Sequence, residues 1–257
     1  MTALTTRGAL AAEWIKLRTV RSTYLTLLLA AAVSVLVGTL DAASAAHAWD
    51  SWAPERRATF DPVRYGFSGG FYIAVLAVGV LGVLSASAEY GTGLIRTTVT
   101  ATPRRRQVFT AKVCTVGVLA LAVGQLLAFT TYFLGQAQLA GHHLDVGLGA
   151  PRVLRAVLET GLFFAVLALV GLALGFLVRR SAGAVALLFG LFFVLPPLLG
   201  TVSDRASQWT LQGAFESMTS TVTTANHAPS ATALPACALY PAVLLGAAAL
   251  LVRRRDV

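Results

Sequence analysis

Lysine is nearly absent from this chain. Of 20 basic residues only Lys16 and Lys112 are lysines. A phosphate-binding P-loop, G-x-x-x-x-G-K-[S/T], needs a lysine followed by Ser or Thr. Here Lys16 precedes Leu17 and Lys112 precedes Val113. The chain therefore carries no P-loop and cannot hydrolyse ATP by that route. It also has no H-E-x-x-H, so a zinc protease is not expected. The two cysteines, Cys114 and Cys237, each sit in an apolar run without metal-ligand spacing. They read as small buried hydrophobes. "HHLD", His142 to Asp145, has ligand-type residues, but adjacent histidines on a helix point about 100° apart. A solvated loop is the simpler reading there, and no metal or catalytic residue is expected.

Charge is scarce as well. Charged residues make up 12% of 257, hydrophobic ones 56%, and the mean hydropathy is +0.74. A soluble domain of this size cannot hide so much apolar surface. The net charge of +9 comes from short clusters between apolar runs. It is not gathered on one polar face, which argues against nucleic acid as a partner.

What is present is long apolar runs. Six are long enough to span a bilayer: 24–40, 67–88, 113–134, 157–178, 182–200 and 234–252. As helices they measure roughly 25 to 33 Å, the thickness of the hydrocarbon core. The expected fold is an all-α polytopic membrane protein, one transmembrane domain over 1–257. Six spans put both termini on one side. The amino-terminal segment, 89–112, the Arg179-Arg180 pair and the carboxyl end together hold fourteen basic residues, and the opposite loops hold six. The positive-inside rule makes the first set cytoplasmic. Trp49, Trp52 and Trp209, with all four histidines (His47, His142, His143, His227), then fall in outer loops. A competing reading is a cleaved signal peptide, because "DAASAAHA" after the first run looks like a small-residue cleavage site. Against it, the polar region before the run is long for a signal peptide, and the run itself is at the upper limit.

Three connecting segments stand out. In 1–23, "LAAEWIKLRTVRSTY" places Leu10, Trp14 and Leu17 on one helical face with Glu13 and Lys16 to one side. It reads as an interfacial helix on the inner leaflet, or as a charged flank that orients the first span. The outer segment 201–233 follows "LPPLLG", whose Pro196 and Pro197 are expected to end or break the fifth helix. It reads either as a re-entrant or interfacial element carrying Trp209, Leu211 and Phe215, or as a disordered loop. The third segment, 89–112, is "EYGTGLIRTTVTATPRRRQVFTAK". Gly91 and Gly93 allow a sharp turn, and Leu94, Ile95 and Val99 can form an apolar patch beside Arg96. Thr102-Pro103 is a helix-start signal, so the third span should begin in the cytosol with Arg104, Arg105, Arg106 and Lys112 on its first turns. Glu89 is costly to leave unpaired near lipid, and one of Arg104 to Arg106 is its expected partner. Within the spans the single acid is Glu159, four residues after Arg155, a spacing that favours a local ion pair. Glu159 is also a candidate for a translocation path. Gly171 and Gly175 have the G-x-x-x-G spacing of close helix packing.

The order of these features resembles the permease subunits of the type-2 family of ABC transporters. The resemblance rests chiefly on Glu89, Gly91, Thr92, Gly93, Leu94, Arg96, Pro103, Arg104 to Arg106 and Lys112. It is supported by "AAEWIKLRTVRS" as an amino-terminal elbow helix and by the fourth and fifth spans. It covers nearly the whole chain, and no single motif in it is specific. It implies a bacterial plasma-membrane exporter in which two permeases, identical or similar, sit on separate ATPase subunits that bind ATP and Mg. The segment around Gly93 to Thr100 would then be a coupling helix resting on the ATPase. No cofactor is expected in this chain. The alternatives are a stand-alone secondary transporter or channel, and a membrane anchor or sensor without transport.

Overall fold

The computed structural model describes residues 6–19, 21–67, 69–91, 105–222 and 230–254. Those residues are helical or irregular, with no strand among them. Helix α1 runs Thr6–Thr19, α2 Arg21–Ala48, and the short α3 and α4 Pro54–Ala58 and Pro62–Gly66. Then come α5, Gly69–Gly91, and α6, Arg105–Ala140. Helix α7, Val153–Val178, is followed by α8, Ser181–Phe189, and α9, Leu195–Gly200. The short α10 and α11, Asp204–Ser207 and Leu211–Thr219, precede α12, Ser230–Arg254. Six helical stretches are long and apolar enough to cross a membrane, and they correspond to the six apolar runs.

Helix α7 is the axis of the bundle. Phe163, Phe164, Leu167 and Leu172 on it are all fully buried, because α5, α6, α8, α11 and α12 pack around it. Glycine sets the closeness of two of these contacts. A methyl group at Gly171 would lie 2.1 Å from the Gly79 carbonyl oxygen, and one at Gly82 would lie 2.0 Å from that of Ala168. Gly175 is similarly confined, 2.6 Å from the Val83 oxygen. The G-x-x-x-G pair thus sits where α5 and α7 touch backbone to backbone, as its spacing predicts. On α6, a methyl at Gly124 would lie 2.5 Å from the Gly161 oxygen. By contrast, Leu25, Leu28, Leu29, Leu36 and Leu40 of α2 are all exposed, which suits a face turned to lipid.

Two expectations about the segments are revised. The prolines do not end the fifth span, because the helix continues through Pro196 and Pro197 to Gly200. Their irregularity falls one turn earlier, in a π-helical segment at Gly190–Val194. Proline cannot donate to the carbonyl four residues back and its ring crowds that turn, so the turn widens. The outer segment is built where it is described. Thr210 caps α11 by accepting from the Gly213 N–H at 3.1 Å. Leu211, Ala214, Phe215 and Met218 are buried in the bundle. The Phe215 ring lies 4.8 Å from Phe163 and stacks 5.9 Å from Phe71. The small residues after the first apolar run also have a packing role, since Ala42 and Ala46 on the last turns of α2 bury Leu139 of α6.

Candidate functional site

Both lysines of the chain meet in one place. Glu13 and Lys16 are a turn apart on α1 and Glu89 lies in the last turn of α5. Lys112 is two turns into α6. Lys16 Nζ donates to Glu13 Oε1 at 2.7 Å and to Glu89 Oε1 at 2.8 Å. Lys112 Nζ donates to Glu13 Oε2 at 2.5 Å and to Glu89 Oε1 at 2.9 Å. The four side chains form a closed ring of alternating charge, formally neutral, that joins three helices. Glu89 Oε2 meets no hydrogen-bond donor among the described residues.

Burial decides how much each member matters. The Lys112, Glu13 and Glu89 side chains are 3%, 6% and 9% exposed, and Lys16 is 41% exposed. A buried ion pair rarely gains much over well-packed apolar residues, but removing one partner strands a charge and costs about 3–5 kcal/mol. Lys112 is the deepest member and holds both acids. For Lys16, burial alone would lower the pKa. The hydrogen bonds and charges of Glu89 and Glu13 outweigh it and hold the ammonium above its usual range.

The ring continues into the rest of this end of the bundle. Beside Glu89, the Tyr90 ring carries the Arg179 guanidinium 4.9 Å from its centroid and meets Phe176 edge-on. Ser87 Oγ and Ser181 Oγ are 2.9 Å apart. Arg179 closes α7 in the left-handed conformation (φ 60), its N–H bonded to the Gly175 carbonyl at 3.0 Å. The end of the second span is therefore tied to α1, to the start of the third span and to the junction of the fourth and fifth.

The expected site residues divide as follows. Glu13, Lys16, Glu89 and Lys112 come together. The described partners of Glu89 are the two lysines rather than an arginine, because Lys112 faces into the bundle while Arg106 points to the exterior. Arg105 opens α6, and Gly91 ends α5 in open space. Gly93, Leu94, Arg96, Pro103 and Arg104 lie outside the described residues, as does the whole expected coupling helix. The face of α1 differs from the expected one: Ala9 and Glu13 are buried and Leu17 packs on the core, while Leu10, Trp14 and Ile15 are exposed. Helix α1 spends its inward face on the ring. Glu159 is buried in α7, and Arg155 Nε sits 3.4 Å from its Oε1 as the spacing predicts. Among the described residues no group of three or more His, Cys, Asp or Glu could hold a metal.

A second polar cluster, at the other end of the bundle, was not anticipated. The buried Asp61 caps α4 through the Val63 and Arg64 N–H groups, both at 3.1 Å. The same carboxylate accepts from the Thr221 N–H at 2.5 Å and the Val222 N–H at 3.1 Å. The hydroxyls of Ser220 and Thr221 add bonds of 3.2 and 2.8 Å. Nearby, Glu216 accepts from Arg64 Nη2 and from the Tyr72 hydroxyl, each at 3.3 Å. This knot ties α4 and α5 to the end of α11. The Asp61-Pro62 step is a helix-start signal that could have drawn attention to Asp61. Nothing local marks its partners some 160 residues on.

The sequence matches the family described as ABC-2 family transporter protein over residues 9–200. The match takes in α1, the first five spans and all four members of the ring, and the chain belongs to this family of membrane transporters. No curated protein matches the chain.

Proposed function

We propose that the chain is the membrane-spanning permease subunit of an ATP-driven exporter, working as a dimer with an identical or similar permease. Its energy would come from separate P-loop ATPase subunits that bind ATP and Mg. The observation that carries this reading is the ring. Glu89 and Lys112 bracket the segment between the second and third spans, three residues before Thr92 and eight after Arg104. Both ends of that segment are bonded to each other and to α1. A push on it from an ATPase would reach the elbow helix and two spans together. In this reading 89–112 and both termini are cytoplasmic and the membrane is a bacterial plasma membrane. Trp14 of α1 faces its lipid, and Glu159 contacts substrate along the path. The absence of a P-loop fits, since the fuel is consumed elsewhere.

The test is co-purification from the native membrane in mild detergent, comparing wild type with a Leu94→Ala, Arg96→Ala double variant. Neither substitution changes a member of the ring. A P-loop ATPase should accompany the wild type and be lost, or lose its response to transport substrate, in the variant. Wild-type protein that purifies without any ATPase would sink the reading and favour a transporter driven by an ion gradient.

A further inference from the structure

We infer that His47 and His142 form a binding site for a late first-row transition-metal dication, Cu²⁺, Zn²⁺ or Ni²⁺, at the end of the bundle opposite the ring. The two rings come from different spans. His47 is in the last turn of α2, and His142 is in the turn two residues after the end of α6. Their centroids are 6.1 Å apart with the planes inclined at 53°. Two imidazoles that bind one ion through nitrogen at about 2.0–2.1 Å place their centroids roughly 5 to 6.5 Å apart, depending on the angle at the metal. The observed separation lies at the wide-angle end of that window, so a small rotation of the exposed side chains would bring the rings to a tetrahedral angle.

The tautomer is also suitable. His47 Nδ1 lies 2.8 Å from the Ala43 carbonyl oxygen. A carbonyl only accepts, so the proton is on Nδ1 and the neutral ring keeps a free lone pair on Nε2. Metal-ligating histidines commonly have this arrangement, with the second ring nitrogen donating to a backbone carbonyl.

Both residues stand on fixed backbone. Helix α6 ends in a Schellman motif: the His143 N–H bonds the Ala140 carbonyl at 3.1 Å and the Leu144 N–H bonds that of Leu139 at 3.2 Å. His143 supplies the left-handed residue (φ 57) that the motif requires. Leu144 packs back on Leu139, which is itself buried by Ala42 and Ala46 of α2. The ends of the two helices that carry the histidines are thus locked together before any metal arrives. His47 and His142 are both exposed, so an ion can reach them and complete its shell with water. Imidazole selects copper, zinc and nickel over magnesium and calcium. In "HHLD" His142 does not need His143: its partner is 95 residues earlier in the chain.

The experiment uses the full chain carrying an affinity tag without histidine, purified in mild detergent. Cu²⁺ and Zn²⁺ are titrated by calorimetry, and thermal unfolding is followed with and without each ion. Wild type should bind one ion per chain and melt at a higher temperature when it does. His47→Ala and His142→Ala should each weaken binding by more than about tenfold and lose the stabilisation, while His143→Ala keeps both. The metal-free melting point should be unchanged in His47→Ala and His142→Ala, because the replaced rings are exposed. Absence of saturable binding in wild type, or its survival in either His47→Ala or His142→Ala, would overturn the inference.

Discussion

The two ends of the bundle solve the same problem, a carboxylate withdrawn from water, by different means. At one end Glu13 and Glu89 are answered by the side chains of Lys16 and Lys112. At the other, Asp61 is answered by four backbone N–H groups and two hydroxyls. The ring concentrates its balance in a few long side chains, so losing one leaves a charge without compensation. The knot distributes its balance over many short donors, most of them backbone N–H groups that no substitution other than proline removes. A concentrated network should therefore be more fragile than a distributed one of similar burial.

The sharpest way to break that contrast is Lys112→Met. It preserves the apolar stem but leaves two buried carboxylates to share the part-exposed Lys16, with one negative charge uncompensated and an expected loss of about 3–5 kcal/mol. The loss would be read as a lower midpoint of unfolding in mild detergent and poor recovery from the membrane. Asp61→Asn is the matching change at the far end. Asparagine keeps one accepting oxygen but turns an NH₂ toward former donors, with an expected loss of about 1.5–3 kcal/mol. Limited proteolysis should then cut the segment after α11 faster while α1 stays protected. If Asp61→Asn proves as damaging as Lys112→Met, the contrast between concentrated and distributed fails.

The smallest effect is expected at Lys16. Its side chain is 41% exposed, so solvent screens its bonds, and Lys16→Ala should cost under about 1 kcal/mol. The pH dependence has a definite sign. The folded-state pKa of Lys16 is raised, so its contribution is complete at neutral pH and fades only as pH rises through that raised value. Wild-type stability should decline in that alkaline range slightly more than that of Lys16→Ala. An equal decline would remove Lys16 from the ring's balance.

The contrast also explains what could be read from the sequence. The spans were legible because hydrocarbon thickness dictates their length, and the touching glycines because of their spacing. All four ring members were singled out one by one, since an ionisable side chain beside a span is conspicuous. Their pairing was not legible. Arg104 to Arg106 lie nearer Glu89 in sequence, but helical rotation turns Lys112 inward and Arg106 outward. The knot left almost no trace, because backbone amides donate whatever residue carries them. Helix α11 was only half legible: its apolar residues were noted, but the Phe71, Phe163 and Phe215 cluster that holds it depends on three distant segments.

The contact between α5 and α7 gives the bundle a mechanical character. Where Gly79, Gly82, Gly171 and Gly175 bring the backbones together there are no side chains to compress or re-pack. The second and fourth spans are joined there as a single stiff strut. On α5, Glu89 and Phe71 are 18 residues apart, about 27 Å of helix. Under the proposed function, a displacement imposed at Glu89 would be carried along this strut to the aromatic seat of α11 at the opposite end of the bundle.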